Sequence, residues 1–202
     1  MPDRVGAVVL AAGEGSRFGG PKQRLLLPSV LARLGRAAVD ETVVVLGAHR
    51  FDVEGARTVV AEEWKRGAGA SLRAGLGALG PGVAVAVVCL ADGPLLSPAA
   101  VDRVIAAWRA GAGEVVAASY GGRRGHPVAL DRAVWGSVPD DGGRALDAVL
   151  VPCDDLGSPE DVDTPADLER VGLGGIVTPP QAGSISAGEG PEAPVTKPSD
   201  TL

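Results

Sequence analysis

The chain has 202 residues, 46% of them hydrophobic but only 3% aromatic, with 19 Lys and Arg against 25 Asp and Glu and a net charge of −6. That length suits one domain, and the acid excess argues against nonspecific nucleic-acid binding, which needs a basic face. No apolar run approaches the roughly 18 residues of a spanning helix, no secretory leader is evident, and Cys89 and Cys153 make neither a disulfide framework nor a metal motif, so a cytoplasmic protein without a membrane partner is expected.

Val5–Leu10 is a continuous apolar run, the pattern of a strand buried on both faces. A loop rich in glycine follows, then a short helix over Val30–Ala38. Thr42–Leu46 and Thr58–Ala61 read as strands. Ala68–Leu79 carries Leu72, Leu76 and Leu79 at helical spacing. Val83–Leu90 is the most apolar strand and runs out at Asp92. Pro98–Ala110 is a helix with proline in its first turn. Val115–Ser119 and Val128–Leu130 are further strands, and Asp163-Thr-Pro165 opens a last helix to about Val171. Strands alternating with helices predict a three-layer α/β/α sandwich with a mainly parallel sheet. The domain is expected over residues 1–175. Residues 176–202 are rich in Pro, Gly, Ser and Thr without apolar periodicity, and a disordered tail is expected there.

The loop after the first strand reads Leu10-Ala-Ala-Gly-Glu-Gly-Ser-Arg-Phe-Gly-Gly-Pro-Lys22. Glycines allow backbone N–H groups to converge on an anion. Arg17 can grip phosphate oxygens as a fork and Lys22 as a point charge. The dinucleotide pattern fails, because Gly13, Gly15 and Gly19 are spaced G-x-G-x-x-x-G. The P-loop pattern fails as well, because Pro21 stands before Lys22 and Gln23 replaces the hydroxyl. A solvated glycine-rich turn is the competing reading.

Two acidic positions stand out. Asp92 follows the most apolar strand, and ligands in open α/β sheets sit beyond the carboxyl ends of strands. Asp163 closes the cluster Glu160-Asp-Val-Asp163. Magnesium commonly takes one or two protein carboxylates and leaves other positions to phosphate oxygens and water. The plainer alternatives are a turn residue for Asp92 and a helix N-cap for Asp163. Ser71, at a helix start, suits either an anion or a cap. His126 has an ordinary pKa near neutrality and suits either an anion or a hydrogen bond before a strand.

The stretch Leu10-Ala-Ala-Gly-x-Gly-Ser-Arg-Phe-Gly-Gly-Pro-Lys-Gln resembles the opening signature of the MobA-like nucleotidyltransferases, most closely the molybdenum cofactor cytidylyltransferase branch. Trp64-Lys-Arg-Gly-x-x-x-Ser71-Leu and Gly125-His126-Pro127 resemble two further segments of that family, and the likeness runs over about Val5–Leu173. The resemblance implies a Rossmann-like fold and magnesium-dependent transfer of a nucleoside monophosphate to a phosphorylated, pterin-type acceptor, with release of pyrophosphate. It implies nucleotide contacts from Leu10, Ala11, Ala12, Gly13, Gly15, Ser16, Arg17, Lys22 and Ser71. Catalysis would fall to Arg17, Lys22 and Asp92, the Mg2+ to Asp92 and Asp163 (Asp161 in reserve), and the acceptor to His126. Ala11-Ala12-Gly13 resembles the cytidylyl branch, which implies CTP in preference to GTP.

The segment after Gln23 and the region Arg144–Asp154 are shorter than the family pattern. A different acceptor, such as a sugar phosphate, and an inactive nucleotide- or cofactor-binding module are the alternatives. A molybdoenzyme or chaperone partner is left open.

Overall fold

The computed structural model describes residues 3–18, 21–157, 162–170 and 172–173. The Val-rich run at the start is strand β1 (Arg4–Ala11), with Val5, Val8 and Val9 wholly buried. Helix α1 (Lys22–Leu34) crosses to β2 (Glu41–Leu46), and β3 (Arg57–Val60) pairs beyond it. Helix α2 (Ala68–Ala78) returns to β4 (Val83–Leu90), on the other side of β1. Then come α3 (Pro98–Arg109), β5 (Val115–Tyr120), β6 (Arg123–Asp131), β7 (Val149–Pro152) and α4 (Pro165–Arg170). The seven strands lie in the order β3-β2-β1-β4-β6-β5-β7. All neighbours are parallel except β6, which runs antiparallel to both β4 and β5.

Alternation along each strand divides the core into two layers. Val44 and Leu46 join Leu27, Val30 and Leu34 of α1 and Val101, Val104 and Ile105 of α3. Val43 and Val45 join Leu72 and Leu76 of α2 on the opposite face. Each buried Val or Leu contributes about 1.5–3 kcal/mol, so many small side chains serve where aromatics are scarce. Gly75 lets α2 settle close to the sheet: a Cβ there would lie 2.5 Å from Val8 Cγ1 and 2.7 Å from Val45 Cγ2. The chain is thus the expected Rossmann-like three-layer sandwich with a mainly parallel sheet.

Two elements differ from expectation. The first helix is not Val30–Ala38 but Lys22–Leu34, and it contains Pro28. Proline suggests a helix boundary because it lacks an N–H and crowds the preceding turn. Here its ring points to solvent, while Leu26, Leu27, Val30 and Leu34 bury the opposite side and hold the helix through it. Strand β7 falls in the stretch that reads as compressed, and Val149 and Leu150 remain exposed at its edge. The expected tail at 176–202 lies outside the described residues.

Candidate active site

The crossover from β1 runs to one side and the strand that returns past it, β4, lies on the other. The loops after β1 and β4 therefore diverge at a switch point, where open α/β sheets bind their ligands. Asp92 stands two residues beyond the end of β4. Lys22 begins α1, and its side chain turns inward with only 7% of its surface exposed.

Lys22 joins the two acidic positions. Its Nζ donates to Asp163 Oδ1 at 2.7 Å and to the Val162 carbonyl at 2.7 Å, and it stands 2.9 Å from Asp92 Oδ2. Asp92 and Asp163 are 71 positions apart in sequence, yet both carboxylates meet on one ammonium. Burial works against that charge. The hydrogen bonds to Asp163 and Asp92, together with their negative charge, outweigh it and hold the Lys22 pKa above its ordinary 10.5.

The backbone keeps Asp163 in place. Val162 N–H donates to the Asp92 carbonyl at 2.9 Å, and Val162 packs with Leu26 and Leu168 beneath it. The N–H groups of Asp163 and Thr164 donate to Asp167 Oδ2 at 2.9 and 2.7 Å. Asp167 thus does the capping work at the start of α4, and the Asp163 carboxylate faces Lys22. The same hydrogen bonds hold the Asp167 carboxyl below its usual range.

Two cavities open on this cluster. The first, about 250 Å³, is lined by Gly13, Gly15, Ser16, Lys22, Asp92 and Asp163. Gly15 sits at φ +66°, the left-handed region that glycine enters without cost, and its carbonyl accepts from Phe18 N–H. Gln23 Nε2 donates to the Gly13 carbonyl at 3.1 Å, and His49 Nε2 meets the Glu14 carbonyl at 2.8 Å. The second, about 330 Å³, is lined by Leu10, Ala12, Trp64, Ser71, Leu90 and Asp92, among others. A third, about 630 Å³, shares Leu10, Ala68 and Leu90 with the second and contains His126.

The expected site residues therefore gather at one edge of the sheet, with some distinctions. Ala11 places its methyl in the core. Ser71 is buried inside the first turn of α2, whose cap position is Gly67. The backbone of Arg17 is in a 3-10 turn at Ser16–Phe18, but its side chain, like Asp161, lies outside the described residues. Lys22 differs most from expectation: it is a buried tie between carboxylates, where the sequence suggested a mobile charge facing phosphate. His126 Nδ1 lies 3.2 Å from the Val88 carbonyl, an acceptor, so that nitrogen carries the proton. Burial lowers the His126 pKa below 6.5 despite that bond, which leaves the ring neutral at pH 7. Positive charge in its cavity comes instead from Arg123, Arg124 and Arg144, which the sequence reading passed over although Arg123 and Arg124 stand as a pair before the Gly-His-Pro segment.

Asp92 and Asp163 could together hold a hard divalent cation: their carboxylates meet beside an open cavity, which would leave other positions for phosphate and water. Gln23 Oε1 is a buried acceptor with no hydrogen-bond partner among the described residues. No cluster of three or more His, Cys, Asp or Glu side chains suits a metal among the described residues, which sets this site apart from an all-protein metal cage.

A Rossmann-like sandwich with a glycine loop and two carboxylates at its switch point is the architecture of a nucleotide-binding transferase. The sequence matches the model of the MobA-like NTP transferase domain over residues 7–150, and the chain belongs to that family of nucleotidyltransferases. No individually curated protein matches it significantly. Among solved structures it is similar to the Rv0371c homologue from Mycobacterium sp. strain JC1, at 27% identity and a TM-score of 0.69, covering 86% of this chain and 96% of that one. It is similar also to Rv0371c of Mycobacterium tuberculosis in complex with manganese, at 28% identity and a TM-score of 0.64, covering 83% and 97%. The molybdopterin-guanine dinucleotide biosynthesis protein A of Archaeoglobus fulgidus shares the fold at 18% identity and a TM-score of 0.57, covering 82% and 95%. No helix among the described residues is long and apolar enough to cross a membrane.

Proposed function

We propose that the protein transfers CMP from CTP to a phosphorylated, pterin-type acceptor, with Mg2+ at Asp92 and Asp163. The observation that carries this reading is the meeting of both carboxylates with Lys22 beside the Gly13–Ser16 loop. The loop's backbone N–H groups and Arg17 bind the triphosphate. Lys22 lines the cavity that the loop shares with the carboxylates, with its ammonium on Asp92 and Asp163. Asp92 and Asp163 would hold a divalent cation, which would supply charge neutralisation to the phosphates. An oxygen of the acceptor phosphate attacks the α-phosphorus, the bond to the β-phosphate oxygen breaks, and pyrophosphate leaves. The attacking oxygen is already ionised, so the residues act by positioning and electrostatics and no general base is required.

The preference for CTP rests on Ala11-Ala12-Gly13 and its resemblance to the cytidylyl branch. Ala12 lines the cavity shared with Trp64 and Ser71, next to the glycine loop. The larger cavity adjoins this one and would take the acceptor. The manganese complex of Rv0371c supports a divalent cation in this fold. Pyrophosphate release, measured side by side with CTP and GTP and a phosphorylated pterin, tests the reading. A clear preference for GTP would refute the branch assignment, and no turnover with any nucleotide would refute the activity.

A further inference from the structure

The largest of the three cavities carries an unbalanced charge. Arg123, Arg124 and Arg144 stand in its lining against the single acidic residue Asp141, while Leu72, Val88 and Val128 add apolar surface. Arg124 is half-buried and spends its guanidinium on one turn. Nη1 donates to the carbonyls of Leu146 at 2.6 Å and Arg144 at 3.3 Å, and Nη2 to that of Gly143 at 2.9 Å. Carbonyl oxygens satisfy the N–H groups but leave the charge uncompensated.

The clamped turn carries Arg144. Burial lowers the Arg124 pKa, and the charge of Arg144 lowers it further, so the two cations feel one another. Arg144 lines the cavity together with His126, and its charge adds to the downward push on that ring. Arg124 and Arg144 line one cavity, and an anion bound between their like charges would relieve the repulsion. A planar fork is suited to a phosphate group.

We propose that this cavity is an anion receptor in which Arg144 grips the phosphate of an amphiphilic phosphomonoester, Arg124 positions Arg144 through the Gly143–Leu146 turn, and the apolar lining takes the body. Naming that ligand the acceptor rests on the nucleotidyltransferase reading. The receptor itself rests on the lining and the clamp. A polyhydroxylated sugar phosphate would set its hydroxyls against Leu72, Val88 and Val128 without partners.

Calorimetric titration of the full chain with phenyl phosphate tests this, with glucose 1-phosphate as the polyhydroxyl counterpart. Each titration is run with and without saturating Mn2+ and CTP, so that occupancy of the glycine loop is controlled. Phenyl phosphate should bind at least about fivefold more tightly than glucose 1-phosphate, and Arg144→Gln should weaken it at least about tenfold. Binding of CTP with Mn2+ should stay within about twofold in that variant. Arg124→Lys keeps the charge but loses the planar fork and should weaken phenyl phosphate at least about threefold. The double variant should bind no worse than Arg144→Gln, because Arg124 acts through Arg144.

Phenyl phosphate affinity unchanged in Arg144→Gln would overturn the receptor. Equal affinity for the two phosphates would overturn its amphiphilic selectivity, and additive losses would overturn the positioning role of Arg124. Loss of CTP binding in the parent, with phenyl phosphate binding retained, would refute the nucleotidyltransferase reading and leave the receptor standing.

Discussion

Replacing Lys22 by methionine keeps the aliphatic stem and removes the ammonium that joins Asp92, Asp163 and the Val162 carbonyl. Hydrogen bonds to charged groups are worth about 1.5–3 kcal/mol each, and stripping one partner from a buried ion pair costs about 3–5 kcal/mol. Asp92 and Asp163 keep 26% and 37% of their side-chain surface in solvent. Water therefore recovers much of the loss, and a net destabilisation of about 2 kcal/mol is expected. At this chain length that corresponds to a fall in Tm of roughly 4–8 °C.

The pH dependence has a definite sign. The folded pKa of Lys22 is raised, so its contribution is fully present below the ordinary value of 10.5 and is lost as pH climbs through the higher folded value. The gap between parent and Lys22→Met should stay level through neutral pH and close in strong alkali. Thermal denaturation followed by circular dichroism across that range measures it. Adding Mn2+ should raise the Tm of the variant more than that of the parent, because two carboxylates are left without their ammonium. Turnover should fall at least about tenfold, or about 1.4 kcal/mol in the barrier. A variant that melts with the parent and retains its turnover would refute both the structural and the catalytic role given to Lys22.

Asp92→Asn and Asp163→Asn should each abolish most turnover with the fold intact, and the double variant should be little worse than either, since residues acting as a unit are non-additive; kinetics that multiply would separate the two carboxylates. Asp167→Ala should lower Tm at neutral pH, and the deficit should vanish as pH falls below the ordinary 3.8 through the depressed folded pKa, because a protonated carboxyl no longer accepts both N–H groups. Truncation after Gly175 removes no periodic apolar residues and should leave Tm and activity unchanged; a large drop would show that residues 176–202 pack against the domain.

The alternating elements were legible because the strands are long Val-rich runs and the helices α2 and α3 carry leucine, isoleucine and valine at helical spacing. Helix α1 was legible only in part. Pro28 is a local signal for an end, and what overrides it is tertiary: Leu26, Leu27, Val30 and Leu34 bury one side while proline faces water. Strand β7 had no local signal either. Four residues, three of them exposed, become a strand only because β5 offers its edge. Antiparallel β6 likewise follows from the two-residue turn at Gly121 and Gly122, both at positive φ, which reverses the chain after β5.

The site divides along the same line. Gly13, Gly15, Lys22, Asp92 and Asp163 stand out because loop composition and strand ends are local features. Their mutual arrangement is not local. Lys22 and Asp163 are 141 positions apart, and what joins them is a chain of contacts that no spacing encodes: Asp92 carbonyl to Val162 N–H, Val162 carbonyl to Lys22 Nζ, and Lys22 Nζ to both carboxylates. That arrangement has a consequence for binding. A cation that takes the carboxylate oxygens competes with the Lys22 ammonium for them, and an ammonium displaced from a buried position needs another anion nearby. On the proposed reading, a triphosphate at the adjoining loop would supply one. Metal and nucleotide should therefore bind with positive coupling, each easing the entry of the other. Mn2+ affinity measured by electron paramagnetic resonance should rise when CTP is added to the parent and rise less in Lys22→Met, where no ammonium has to be moved. Equal enhancement in the two proteins would show that Lys22 does not link the sites.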